Sequence, residues 1–161
     1  MTAAAKAVLA PLADVKQRLR LWIRLLRATR AIEAELRDRL RVQFAMTLPQ
    51  FDVMAALYRE DGGMTMTELS RRLMVSNGNV TGIIDRLVAE QYVLRQAPAE
   101  DRRSFIVRLT AKGVARFAAV AAAHEEWVDT LLADFSADEM EMLIGHFDGL
   151  AERIRHGGEN P

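Results

Sequence analysis

Residues 65–90 read TMTELSRRLMVSNGNVTGIIDRLVAE, and they contain the signals for two short helices joined by a tight turn. Thr65 and Glu68 have the spacing of a capping box, the pattern that begins a helix. Ser76 then precedes a second helix, which we place over 77–90 and which Ser76 is expected to cap. The apolar residues predicted for the buried side of this helix are Val80, Ile83, Ile84, Leu87 and Val88. Two short helices this close together predict a helix-turn-helix unit.

The pattern changes directly after this unit. Residues 92–95 (YVLR) predict a strand, residues 97–103 predict a polar turn, and residues 104–109 (SFIVRL) predict a returning strand. A β-hairpin that follows a helix-turn-helix is the wing of a winged-helix fold. The fold class that we predict is therefore mainly α with a small β-wing.

Long helical patterns flank the winged unit on both sides. Apolar residues recur at spacings of three and four over 11–44, which is longer than a small domain needs and indicates packing against a second subunit. Thr47 and Pro49 begin a further helix. After the wing, we expect helices over 110–132 and 136–155, the latter opened by a second capping box.

The composition favours a folded protein without thiol chemistry. The chain has 161 residues, of which 50% are hydrophobic and 27% are charged, so it can build a core. It has no cysteine, which excludes disulfides, thiol nucleophiles and thiolate zinc sites. Residues 1–17 make a poor signal peptide, and no uncharged run is long enough to cross a bilayer. We therefore expect a cytoplasmic protein without membrane contact.

Charge is distributed unevenly, although the formal net charge is +0. Residues 63–116 contain 9 Lys/Arg against 5 Asp/Glu, a difference of +4, whereas residues 117–161 contain 2 against 10, a difference of −8. A basic middle section suits contact with a polyanion. Uneven charge on solvated faces is the alternative, and charge alone does not decide between them.

The predicted helix-turn-helix and wing carry the residue types that DNA recognition needs. Short polar side chains at the start of the second helix can contact base edges in the major groove, and a glycine there allows close approach of the backbone. A cation on the wing can enter the electronegative minor groove. The candidate DNA contacts are Ser76, Asn77, Gly78, Asn79, Thr81 and Arg86 on the helix, and Asp101, Arg102 and Arg103 at the hairpin tip.

These residues also carry a resemblance to a known family. The runs TMTELSRRLMVSNGNVTGIIDRLVAEQYVLR and DRRSFIVRLTAKG resemble the helix-turn-helix and wing of the multiple-antibiotic-resistance regulator (MarR) family of winged helix-turn-helix transcriptional regulators. The wing signature Asp-x-Arg, a strand ending in Leu-Thr and the next helix fit without gaps, and the flanking helices match in order and length.

The resemblance implies a homodimer that binds a palindromic operator in double-stranded DNA. Residues 1–45 and 110–161 would form a helical dimerisation region, and residues 46–109 would form the DNA-binding lobe. In the wing, Asp101 would brace Arg103, which would enter the minor groove, and Arg102 would contact phosphate.

The resemblance also implies a small effector in a crevice between the dimerisation helices and the DNA-binding lobe. The SNGNVTGIIDRL helix resembles that of regulators of aromatic-acid breakdown, so the predicted effector is an aromatic acid or its coenzyme A thioester, and the predicted function is a repressor released by it. Ordinary core packing and a solvated basic face are the alternatives for these side chains. The candidate residues are Trp22, Phe44, Phe51, Met54 and Trp127, with Arg37, Arg39 and Arg41 for the anionic end.

Nothing in the sequence supports catalysis or a bound metal. The three histidines are scattered, and the chain has no glycine-rich phosphate loop, no HExxH and no nucleophile turn. We expect no enzyme, no cofactor and no metal. A winged-helix module for protein–protein assembly is the alternative function, and a small helical enzyme is a more distant third.

Overall fold

The computed structural model describes residues 3–96 and 105–157, and the side chains of these residues except 3–13 and Asn77. The described chain is mostly helical with a small antiparallel sheet, which confirms the predicted fold class. In chain order the elements are α1 (Ala3–Phe44), α2 (Leu48–Tyr58), β1 (Met64–Thr65), α3 (Met66–Leu73), α4 (Asn77–Ala89), β2 (Val93–Gln96), β3 (Ile106–Leu109), α5 (Ala111–Leu131) and α6 (Ala137–Gly157).

Two elements differ from the sequence prediction. Helix α1 begins at Ala3 and not near Pro11, because the alanine-rich opening residues favour a helix enough to accommodate a proline. Strand β1 was not predicted, since its two residues are too few to show an alternating pattern.

Hydrogen bonds at the helix starts explain where the helices begin. Thr65 accepts from the backbone N–H of Glu68, whose carboxylate accepts from the Thr65 backbone at 2.8 Å, so the predicted capping box is confirmed. Ser136 and Glu139 repeat this arrangement before α6. These bonds to the ionised carboxylates lower the pKa of Glu68 and of Glu139. Ser76 occupies the cap position of α4, but its side chain makes no capping hydrogen bond with the described residues, so that expectation was wrong.

The core lies under α4. Val80, Ile84 and Leu87 on this helix are fully buried, together with Met54 of α2 and Leu69 of α3. Each such side chain contributes about 1.5–3 kcal/mol through burial of apolar surface. Three of the five apolar residues predicted for the inner side of α4 are thus fully buried, and the other two are half-buried.

The three strands form one antiparallel sheet in the order β1-β3-β2. Val93 pairs with Leu109 at one end of the hairpin, and Gln96 pairs with Ile106 at the other. Met64 of β1 pairs with Val107 of β3. Strand β1 thereby joins the returning strand of the wing to the start of α3.

A close packing contact fastens the beginning of α5 to the connection between α4 and β2. Thr110 donates from its hydroxyl to the carbonyl oxygen of Gln91 at 2.7 Å and accepts from the Gly113 backbone N–H at 2.9 Å. The Lys112 ammonium lies 4.9 Å from the ring centre of Tyr92. A Cβ atom on Gly113 would lie 2.0 Å from the Tyr92 carbonyl oxygen, so only glycine fits there.

By its backbone contacts the chain divides into two units, Met1–Ala123 and His124–Pro161. The first contains α1 to α4, the sheet and the beginning of α5, and the second contains the rest of α5 and α6. Helices α1 and α6 both expose large apolar side chains. Among the described residues, no helix is long and apolar enough to span a membrane.

Gly113→Ala is expected to lower the free energy of unfolding by about 1–3 kcal/mol, because the added methyl group must displace the Tyr92 backbone. Gly82→Ala is the matched control. Its Cβ would meet nothing within 4 Å, and it should raise the free energy of unfolding by about 0.5–1 kcal/mol. Urea denaturation measures both, and equal effects of the two substitutions would contradict this account of Gly113.

Candidate nucleic-acid interface

The side of α4 opposite its buried face is polar and open to solvent. With Val80, Ile84 and Leu87 turned into the core, Asn79, Thr81 and Arg86 are exposed. None of the described carboxylates forms an ion pair with Arg86. Its guanidinium is therefore available to an external anion such as a phosphate.

Two glycines leave the backbone bare on the exposed side of α4. Gly78 and Gly82 are one helical turn apart, and a Cβ atom at either position would meet nothing within 4 Å. Packing within the chain thus does not require glycine at either position. The close approach of another molecule to the helix backbone would require it. Gly82 was missed in the sequence analysis, although its i, i+4 spacing from Gly78 was a visible signal.

An ion pair joins α4 to the wing. Arg95 on β2 donates to a carboxylate oxygen of Asp85 on α4 at 2.6 Å, and Asp85 is 57% exposed. Asp85 is the acidic residue of α4, and the pair neutralises its charge beside the polar face. Sequence reasoning missed this pair because it joins residues ten positions apart across a helix end and a turn.

Several predicted contacts fall outside what the structure describes. Asp101, Arg102 and Arg103 lie outside the described residues, as does the side chain of Asn77. Ser76 is exposed immediately before α4. Their predicted roles in DNA contact stay predictions.

The apolar side chains predicted for an effector crevice are dispersed. Phe51 and Met54 are buried in the core, and the ring centre of Phe51 lies 5.5 Å from that of Phe117. Phe44 is half-buried, with the guanidinium of Arg116 placed 5.3 Å from its ring centre. Trp22 is 58% exposed on α1.

Trp127 belongs to the second unit, where it is buried with its ring centre 6.5 Å from that of His124. Burial lowers the pKa of His124, so this histidine is neutral at pH 7. The two rings pack against each other without adding a charge that an anionic ligand would recognise.

Two of the three arginines at the end of α1 pair with carboxylates of the same helix. Arg39 pairs with Glu35 at 2.6 Å, and Arg41 pairs with Asp38 at 3.4 Å. Arg37 is exposed. Arg116 lies beside one of the candidate aromatic residues, Phe44, and sequence reasoning missed it because an isolated arginine in an alanine-rich helix carries no signal.

Comparison with known proteins finds similarity to transcriptional regulators of the MarR family. A family model described as MarR family matches residues 46–105. The HTH-type transcriptional repressor YetL of Bacillus subtilis is 27% identical over 106 residues, which are 65% of this chain and 64% of that protein.

Solved structures share the fold over nearly their whole length. A MarR family transcriptional regulator from Silicibacter pomeroyi is 30% identical with a TM-score of 0.75, covering 88% of this chain and 97% of that one. A mutant of E. coli MarR in complex with operator DNA has a TM-score of 0.72 and 24% identity, covering 83% of this chain and 95% of that one. The second similarity concerns the fold alone.

Arg95→Gln and Asp85→Asn are expected to differ in their effect on affinity for duplex DNA, although both break the same ion pair. Each should lower the free energy of unfolding by no more than about 1 kcal/mol, because the pair is partly exposed. Arg95→Gln leaves an unneutralised carboxylate beside the phosphates and should weaken binding severalfold, whereas Asp85→Asn removes that charge and should maintain or strengthen it. Fluorescence anisotropy at two salt concentrations measures this. Equal weakening by both variants would mean that the pair acts only by holding the wing.

Proposed function

We propose that this chain, a member of the MarR family of DNA-binding transcriptional regulators, is a repressor that binds a palindromic operator as a homodimer. It leaves the operator when a small aromatic acid binds. The family is one of transcriptional regulators and not of enzymes. The observation that carries the DNA-binding part is the exposed face of α4. This face is polar, it has no side chain at two glycines, and the ion pair between Asp85 and Arg95 connects the helix to the wing. The name of YetL, a repressor, supports the direction of regulation.

In this proposal α4 is the recognition helix. Asn79 and Thr81 contact base edges in the major groove, together with Asn77 at the start of the helix. The bare backbone at Gly78 allows the helix to enter deeply, and Arg86 binds a phosphate further along. Arg103, braced by Asp101, enters the minor groove, and Arg102 contacts phosphate.

An assembly module without an operator of its own is the alternative. A protein-binding face concentrates apolar and aromatic side chains in its centre. The exposed side of α4 instead offers Asn79 and Thr81 between two glycines, and Arg86 one turn further along. This composition supports a nucleic acid as the partner of the face.

Arg103→Ala should weaken operator binding by about 1–3 kcal/mol, the size of one good specific contact, and slightly flatten the dependence of affinity on salt. Arg59→Ala removes an equal charge from an exposed position at the end of α2 and serves as the control. Gel-shift titration on a palindromic duplex selected for binding measures both. If Arg103→Ala binds as tightly as the unaltered protein, the wing does not contact DNA.

Dimerisation is proposed through α1 and α6, which would make residues 1–45 and 110–161 the dimerisation region and residues 46–109 the DNA-binding lobe. Leu19 and Trp22 on α1 are more than half exposed, as are Ile144 and Ile154 on α6. Apolar stripes of this length on a single chain mark an association surface. Basic side chains accompany the stripe on α1 and acidic ones accompany the stripe on α6, so the two helix types complement each other in charge.

The unaltered protein should be a dimer at micromolar concentration, with twice the 18.1 kDa mass of the chain. The double variant Leu19→Glu, Ile144→Glu should dissociate, because two buried carboxylates would lack partners in the interface. Met74→Glu alters a side chain that is 92% exposed in the turn before α4 and should remain dimeric. Light scattering that reports a monomer for the unaltered protein would refute the dimer and with it the palindrome.

The effector in this proposal is an aromatic acid or its coenzyme A thioester. Release requires that the ligand prefer the form that does not fit DNA, and a tenfold loss of operator affinity corresponds to about 1.4 kcal/mol of such preference. Titrating the operator complex with aromatic acids and thioesters tests it, and a complex that none of them weakens would remove the effector from the proposal.

A further inference from the structure

The turn between α3 and α4 carries the most exposed of the large apolar side chains in the described part of the chain. Met74 is 92% exposed, and Val42 follows it at 72%. Val75, the next residue of the turn, is also exposed. A single apolar side chain on a protein surface is common, so exposure alone does not mark Met74 as a contact residue.

The backbone of Met74 adds a second observation, because it has a conformation that favours glycine. Its φ of +54° and ψ of +35° lie in the left-handed region. Its N–H donates to the carbonyl oxygen of Arg71 at 3.3 Å, and the Val75 N–H donates to that of Ser70 at 3.1 Å, so the turn satisfies the end of α3. Glycine adopts this conformation without the steric penalty of a Cβ atom. The helix end therefore explains the backbone of Met74 but not its side chain.

The other non-glycine residues with positive φ in the described chain lack this combination. Ala45, with a φ of +50°, has the smallest side chain that such a position can carry apart from glycine. Gln91, with a φ of +64°, has a polar side chain that water solvates. Met74 joins a left-handed backbone to a long apolar side chain in water, and both features disfavour it in the isolated chain. Together they point to a partner outside the chain.

We propose that Met74 contacts DNA and recognises the methyl group of a thymine in the major groove. The inference rests on the proposed role of α4 as the recognition helix. Met74 lies three residues before Asn77, the first residue of α4, so their Cα atoms are at most about 11 Å apart. The first residues of a recognition helix contact base edges, which brings the turn before them towards the groove.

The chemistry of the major groove gives an apolar side chain a use beside a polar helix face. Thymine presents its C5-methyl group there, and apolar side chains contact it. The unbranched thioether of methionine adapts its shape to such a surface. A protein is the other partner that an exposed methionine would suit. DNA is favoured because the turn continues directly into the face that carries Asn79 and Thr81 between two glycines.

Replacing thymine by deoxyuridine removes this methyl group alone and tests the contact. Each thymine in one half-site of a palindromic duplex selected for binding is replaced in turn, and fluorescence anisotropy measures the affinity of the full-length protein. At one position the replacement should weaken binding roughly fourfold, the effect of one buried methyl group. Met74→Gly should bind the unmodified duplex at least fourfold more weakly and should not respond to the replacement at that position. Met74→Leu keeps an apolar side chain and should keep the response.

Gln91→Gly is the matched control, because it places glycine at the left-handed position that follows α4. Both glycine variants should raise the urea midpoint of unfolding, since glycine suits a positive φ. Only Met74→Gly should weaken DNA binding. A purely structural role of Met74 would change the urea midpoint without changing the response to deoxyuridine.

The outcomes separate this contact from the proposed function. Undiminished affinity of Met74→Gly, or the same deoxyuridine response as in the unaltered protein, overturns the DNA contact and leaves a protein as the alternative partner of the turn. If Asn79→Ala weakens binding and Met74→Gly does not, α4 is still the recognition helix and only the inference about Met74 is wrong. If neither variant weakens binding, the proposed role of α4 is wrong as well.

Discussion

Val80, Ile84 and Leu87 set the rotation of α4 about its own axis, because all three are fully buried and lie on one side of the helix. Turning the helix by a quarter would expose these side chains, at about 1.5–3 kcal/mol for each. The polar side is therefore fixed by packing on the opposite side. This constraint keeps Asn79, Thr81 and Arg86 exposed to solvent. It also keeps Asp85 within ion-pair distance of Arg95.

The wing depends on the same packing through a short chain of contacts. The Asp85–Arg95 pair ties β2 to α4, β1 ties β3 to the start of α3, and Gly113 lets α5 pack directly on the Tyr92 backbone. These contacts hold β2 and β3 against the helices of their own unit.

Much of this fold was predictable from the sequence because its signals are local. The capping box at Thr65 and Glu68 and the apolar spacing of α4 are readable within a few residues, and both were confirmed. Features that depend on contacts between distant parts of the chain could not be predicted from the sequence. The Asp85–Arg95 pair and the contact of Arg116 with the Phe44 ring join residues from separate elements, and β1 exists only through its partner strand. Phe51 and Met54 have the composition of a ligand pocket, but burial places them in the core, and only the structure distinguishes the two uses.

The two bare positions on α4 have a consequence for engineering this protein. A glycine inside a helix lowers its stability by roughly 0.5–1 kcal/mol relative to alanine, so α4 is less stable with Gly78 and Gly82 than it would be with alanine at these positions. A screen that selects only for heat resistance would replace them, since a Cβ atom at either position would meet no described atom within 4 Å. In the proposed function, the same replacements would fill the surface with which α4 approaches DNA. Under that proposal, heat resistance and DNA affinity are opposed at these two residues, so a stabilised variant of this protein should draw its gains from other helices.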